Sequence, residues 1–138
     1  MYGSLDVSTS GMIAQRTRMA VIAANIANAD SLVNARGEYD PYLKKAAMFS
    51  PGDPSAGSED GQSMGVHVAS IEVGANPLRS AYRPDSPYAD ERGYVMVPDI
   101  DTTVEWVNAL QASRAYEANV AAAETTKSMM AQALRLLA

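Results

Sequence analysis

Cysteine is missing from all 138 residues. That excludes disulfides and thiolate chemistry, and it leaves the compartment open, because cysteine-free chains suit cytosol and periplasm alike. Histidine occurs once, as His67, so no familiar zinc or transition-metal ligand set can be completed. It alternates with Val66 and Val68 and reads as a packed or solvated imidazole in a strand. No run of 18 apolar residues exists to span a membrane. The opening residues, MYGSLDVSTSG, lack the basic start and apolar stretch of a secretory signal. Positive charge is also scarce: 11 Lys and Arg against 16 Asp and Glu give a net charge of -5. The basic residues are scattered, so nucleic acid is not an expected partner.

The chemistry inventory is equally thin. Gly3 and Gly11 form no phosphate-cradling pattern, and neither GxGxxG nor a P-loop is present. Asp53, Glu59 and Asp60 fall in a stretch rich in glycine, proline and serine, which is hard to preorganise as an acid–base pair. Asp85, Asp90 and Glu91 lack the spacing and glycine of a calcium loop. Ser8 and Ser10 have no identifiable general base and read as local structural hydroxyls. The chain is therefore not expected to be an enzyme, to hold a cofactor or metal, or to take a small-molecule substrate.

What the chain does have is a last third without proline or glycine, Thr102 to Leu137, in which alanine is the commonest residue. Alanine loses no side-chain entropy on entering a helix, so this stretch reads as one helix. Roughly 36 residues at 1.5 Å each make a rod about 54 Å long. Thr102 and Glu105 match a capping box at its start. Steps of three and four pick out Trp106, Ala109, Ser113, Tyr116, Val120, Ala123, Lys127, Met130, Leu134 and Leu137. That is a coiled-coil-like seam which a partner helix must cover. Small residues such as Ala109, Ala112 and Ala123 permit a close approach.

A second helix is expected from about Leu5 to Asn28. Leu5, Met12, Met19 and Ile26 recur every seven residues, with Ile22 and Ala29 alongside. Gly11 weakens its early turns by about 1 kcal/mol relative to alanine. Asn25 and Asn28 serve either helix termination or an amide contact between helices or subunits. Between the helices the periodicity changes. Glu38 to Phe49 reads as one strand or a hairpin arm, and Pro51 to Ser63 as a mobile loop by composition. Gly65 to Val73 reads as a strand with a bulge where the alternation shifts. Leu78 to Tyr82 and Tyr94 to Val97 are further short strands. Tyr39, Tyr42, Tyr82, Tyr88 and Tyr94 either stabilise a small core here or anchor an interface.

The expected fold is α+β: long N- and C-terminal helices forming a coiled-coil-like stalk, with a small β-rich insert between them. The divisions are an N-terminal assembly helix over residues 1–29, the insert over 30–101, and a C-terminal assembly helix over 102–138. A two-helix stalk has one mutual interface, so a flank with Ala112, Ala115, Ala122, Met129, Ala133 and Leu136 would stay exposed in a monomer. That favours a self-assembling or co-assembling protein. The rival class is a helical adaptor that binds one protein stoichiometrically.

Both end helices carry recognisable motifs. Ser8 to Asp30, STSGMIAQRTRMAVIAANIANAD, resembles the N-terminal signature of bacterial flagellar rod, hook and filament-type axial proteins. Ser113 to Asn119, SRAYEAN, with KSM at Lys127 to Met129, is similar to the terminal helix of the type C class of proximal rod proteins. DERGYVMVPDID, Asp90 to Asp101, is similar to the segment that precedes that helix in the same class. The resemblance implies a structural subunit of the flagellar basal-body rod that crosses the periplasm and carries motor torque. It implies export by the flagellum's own apparatus without a cleaved signal peptide, and assembly with other rod proteins and copies of itself. Carried over by motif, Ser10, Gly11, Gln15, Asn25 and Asn28 belong to an N-terminal assembly motif; Met19 and Ile26 extend its apolar stripe. Ser113, Arg114, Tyr116, Glu117 and Asn119 belong to a C-terminal one, continued along the seam by Val120, Ala123, Met130 and Leu134.

Overall fold

The computed structural model describes residues 2–137; the side chains of Tyr2 and Leu137, the latter counted in the expected seam, lie outside the described residues. Two long helices dominate. Helix α1 spans Tyr2–Ala27 and α3 spans Thr102–Leu137. Between them lie β1 (Lys45–Pro51), a short helix α2 (Glu59–Met64), β2 (Val66–Val73), β3 (Leu78–Tyr82) and β4 (Tyr94–Pro98). The α+β architecture expected from the sequence is present.

Helix α1 runs unbroken through Gly11. Its hydroxyls turn back on the helix: Ser8 Oγ donates to Ser4 O at 3.0 Å and Thr17 Oγ1 to Ile13 O at 3.1 Å. Asn28 ends it by donating both its backbone N–H, at 3.1 Å, and its side-chain amide, at 2.8 Å, to Ala24 O. At the start of α3 the capping box is not formed. Asp101 caps instead, its Oδ1 accepting from Thr103 N at 2.8 Å and Val104 N at 3.3 Å. This moves Glu105 one place beyond the box position and frees its carboxylate for other partners.

The helices pack antiparallel. A side chain at Gly11 would meet Asn119, and Asn25 bonds Glu105. Fourteen residues separate the members of these pairs on each helix, so one register accounts for both. In that register the first turn of α1 faces Ser128, and α3 continues beyond it from Met129 to Leu137. The half of the expected seam at Ala109, Tyr116, Ala123 and Met130 is half-buried. Ser113 and Val120 are half-buried too, but the centre of the face lies one residue earlier than Trp106 and Ser113, at Glu105 (2% exposed) and Ala112 (0% exposed), with Asn119, Thr126 and Ala133 half-buried on the same line. Trp106 is 63% exposed and Leu134 67% exposed. Ala112, expected on the exposed flank, is instead at the centre of the interface. The reason is size: closely packed helices exclude an indole and admit a methyl group.

The insert forms two antiparallel two-stranded sheets, β1–β2 and β3–β4. In the first, Met48 pairs Ser70 while Phe49 pairs Val68, so Ala69 is the bulged residue. That is where the apolar alternation passes from Val66 and Val68 to Ile71 and Val73. The stretch read as a loop holds α2, fastened to α1. Ser58 Oγ donates to Asp6 Oδ2 at 2.6 Å and accepts from Gly61 N at 3.1 Å, and Gly61 lies against the Asp6 side chain. Val95, Val97, Pro98 and Ile100 bury the root of the insert. The tyrosines hold its outer part: Tyr39 stacks on Tyr88 at 4.9 Å, Tyr82 meets Tyr94 edge-on at 5.4 Å, and Tyr39 OH donates to Met96 O at 2.7 Å.

Candidate assembly site

The N-terminal motif residues divide into three jobs. Ser10 is buried; its hydroxyl donates to Val7 O at 2.8 Å and accepts from Val66 N at 3.1 Å, joining α1 to the start of β2. Gly11 lets α3 come close: a Cβ there would stand 2.7 Å from Asn119 Nδ2, nearer than real contacts allow. Asn119 is itself held by donating to Ala115 O at 3.0 Å. Motif residues from opposite ends of the chain therefore meet.

Asn25 is the third case and the centre of a buried polar node. It is 1% exposed and uses its whole amide. Nδ2 donates to Lys45 O at 2.8 Å and to Glu105 Oε2 at 3.1 Å. Oδ1 accepts from Lys45 N at 3.0 Å and from Tyr42 OH at 3.3 Å. Glu105, 2% exposed, completes the node through a 3.2 Å ion pair from Oε1 to Lys44 Nζ. One carboxylate and one amide thus lock α1, α3 and the start of β1 together, with both charges paired. Burial first, and the Glu105 carboxylate second, push the Tyr42 phenol above its ordinary pKa of 10.0.

Glu105 was expected in a capping box and Tyr42 in a small core or an interface, and Lys44 was given no role; their meeting with Asn25 was not expected from sequence. The available signal was Glu105 itself, a carboxylate in seam register with Ala109 and Ala112. Of the two roles left open for the asparagines, Asn25 makes the contact between helices and Asn28 the backbone bond that ends α1.

The remaining motif residues line the flanks. Gln15 has a buried Oε1 with no hydrogen-bond partner among the described residues. Met19 and Ile26, with Ile22, form a groove with Trp106 and Ala109 of α3. On the C-terminal helix, Ser113 Oγ donates to Glu117 Oε1 at 3.3 Å. Arg114 is exposed and makes no ion pair among the described residues. Tyr116, Val120, Ala123 and Met130 are half-buried, and Leu134 is exposed.

Asp53 and Asp90 are locally engaged. The Asp53 carboxyl is held below the usual carboxylate range by the Ser55 hydroxyl first and the Ser55 amide second. Asp90 Oδ1 accepts from Arg92 N and Tyr94 N, closing the turn into β4. His67 Nδ1 lies 2.6 Å from Gly52 O, so that nitrogen carries the proton and donates. Among the described residues no three metal-ligating side chains cluster, and no helix is long and apolar enough to cross a membrane.

Taken as a class, a long helix at each end of the chain, closed on each other over small motif residues, is where two family profiles fall. One, described as flagella basal body rod protein, matches residues 5–35; the other, described as flagellar basal body rod FlgEFG protein C-terminal, matches residues 91–136. Flagellar basal-body rod protein FlgC of Yersinia enterocolitica is 42% identical over 95% of this chain and 93% of its own length. The FlgC proteins of Salmonella typhimurium (40%, the same shares) and Borreliella burgdorferi (35%, over 99% and 97%) are also similar. The chain belongs to the FlgC family of flagellar basal-body rod proteins.

Proposed function

We infer that this protein is a structural subunit of the flagellar basal-body rod. The proximal part of that rod, within the periplasm, is its proposed place. It packs there helically with other rod proteins and with copies of itself, after passing through the flagellum's export apparatus without a cleaved signal peptide. Its proposed work is mechanical, carrying torque through many parallel contacts, and needs no covalent chemistry.

The observation that carries this reading is the pair of end helices. They meet over motif residues, Gly11 against Asn119 and Asn25 against Glu105. Yet they leave Ile13, Trp106, Leu110, Met129 and Leu134 at least half exposed. Apolar side chains left outside a completed helix pair are what a many-neighboured helical assembly would bury. The polar node ties both helices to the start of β1, as load transfer would require.

The test is recovery of the chain in basal bodies isolated from the source cells. Wild-type protein is expected in the rod fraction. Leu110→Asp, which charges the exposed flank without touching the node, is expected to fall to a small fraction of that level while still exported. Equal recovery of the Asp variant, or absence of the wild-type chain, would contradict the reading.

A further inference from the structure

Helix α3 carries two candidate faces side by side. The line Glu105, Ala112, Asn119, Thr126 and Ala133 lies toward α1, and the line Trp106, Ser113, Val120, Lys127 and Leu134 stands roughly 100° further round. Ala109, Tyr116, Ala123 and Met130 fall between them and would serve either face. Apolar burial alone favours the second line, which has an indole, a valine and a leucine where the first has a carboxylate, an amide and a hydroxyl. Yet Trp106 is 63% exposed and Glu105 2% exposed. The more polar line is the one inside.

The polar contacts show what holds it there. Among the described residues, every hydrogen bond or ion pair that an α3 side chain makes outside the helix runs through Glu105. It meets Asn25 Nδ2 at 3.1 Å and Lys44 Nζ at 3.2 Å. Ser113, Asn119, Thr125 and Thr126 bond within the helix instead. The tether draws α3 toward the β1 side, where Glu105 and Asn108 border Lys44, Lys45 and Ala46. On the other flank, Met19, Ile22 and Ile26 of α1 line an apolar groove of about 230 Å³ together with Trp106. A turn of α3 toward that flank would carry the indole against apolar side chains. A buried polar group at one position of a helix seam fixes register at some cost in stability.

We propose that Glu105 is a positioning residue. Tied to Asn25 and Lys44, it holds α3 turned with the polar line inward and keeps the Trp106 line on the outside of the subunit. Its significance rests on the rod-subunit reading, in which the line so displayed is free for neighbouring subunits. The choice of face itself belongs to the single chain and is tested on it.

Trp106 is the one tryptophan of the chain, so its fluorescence reports the turn of α3. The probe variant is Glu105→Ala. It releases α3 while Asn25 keeps both bonds to the Lys45 peptide, and Lys44, itself partly exposed, can reach water. On the monomeric fraction of the purified full-length chain, Glu105→Ala is expected to shift Trp106 emission to the blue and to lower its acrylamide quenching roughly twofold, with the helical far-ultraviolet signal retained. Glu105→Gln, which can still accept from Asn25, is expected to quench as the native chain does. A role in stability alone predicts the opposite change, since loosening the helix pair exposes Trp106 further. Quenching that is unchanged or higher in a helical Glu105→Ala chain overturns the proposal, and so does a Glu105→Gln chain that quenches like Glu105→Ala. Should Glu105→Ala lose its helical signal, the same chain with Ser113→Leu, which adds apolar weight to the second line, decides. Recovery of the signal with Trp106 shielded retains the proposal, and no recovery overturns it. Absence of the wild-type chain from isolated basal bodies would end the rod reading and leave the result on Glu105 standing.

Discussion

Asn25 satisfies two backbone groups of Lys45, the Tyr42 hydroxyl and one oxygen of Glu105 from a single side-chain amide. Asn25→Ala would leave a buried carboxylate oxygen and the part-buried Lys45 peptide without these partners, at a cost of about 3 kcal/mol. Urea denaturation checks this, and a loss below about 1 kcal/mol would contradict it. Gly11 makes a subtler case. Alanine favours a helix over glycine by about 1 kcal/mol, but here its methyl would strike Asn119. Gly11→Ala is expected to destabilise the native chain and to stabilise the Asn119→Ala chain, a reversal that a double-mutant cycle reads directly. Tyr42 supplies the pH dependence. Its pKa is raised in the folded state, so its contribution is intact below pH 10 and is lost as pH rises through 10 toward the folded value. Tyr42→Phe, which cannot ionise, is expected to lose less stability over that window than the native chain. Equal losses in urea titrations at stepped pH would contradict it.

At the scale of the element, α3 decides how far the fold could be read in advance. Its existence and length follow from composition, because 36 residues without glycine or proline leave no competing state. Which face it buries does not. Ala112, Asn119 and Thr126 are small or polar and carry little hydropathic weight, whereas Trp106 and Leu134 dominate any apolar stripe yet stand outside the interface. Ala112→Leu is therefore expected to cost about 1–3 kcal/mol through overpacking, and Trp106→Ala less than about 0.5 kcal/mol. Thermal melts that rank the two the other way would reverse the assigned face of α3. The insert shows the same division. The Ala69 bulge was legible as a break in alternation, a local signal. Helix α2 was not, because it depends on Ser58 meeting Asp6, 52 residues away. Of the candidate site, Gly11, Asn25 and Asn119 were marked by motif resemblance. The partners around Asn25, namely Glu105, Lys44 and Tyr42, lie outside the family motifs, and their joint role becomes visible only when tertiary contacts bring them together.

For the whole molecule, the helix pair is a finished fold with an unfinished surface. Its interior interface is closed by small residues and one polar node, while large apolar side chains remain on the outer flanks and on the projecting end of α3. In solution that surface is an association liability; inside the proposed tube of packed subunits it would be the contact area. The insert, fixed to the helices through Asn25, Ser10 and Ser58, would keep its orientation as load passes along the rod. The most direct test is electron cryomicroscopy of basal bodies isolated from the source cells, with this chain traced in the density. The account predicts both end helices buried among neighbouring subunits in the periplasmic rod, with Trp106 and Leu134 covered and the Asn25–Glu105 node intact. A complete rod without this chain, or one in which those flanks face solvent, would contradict it.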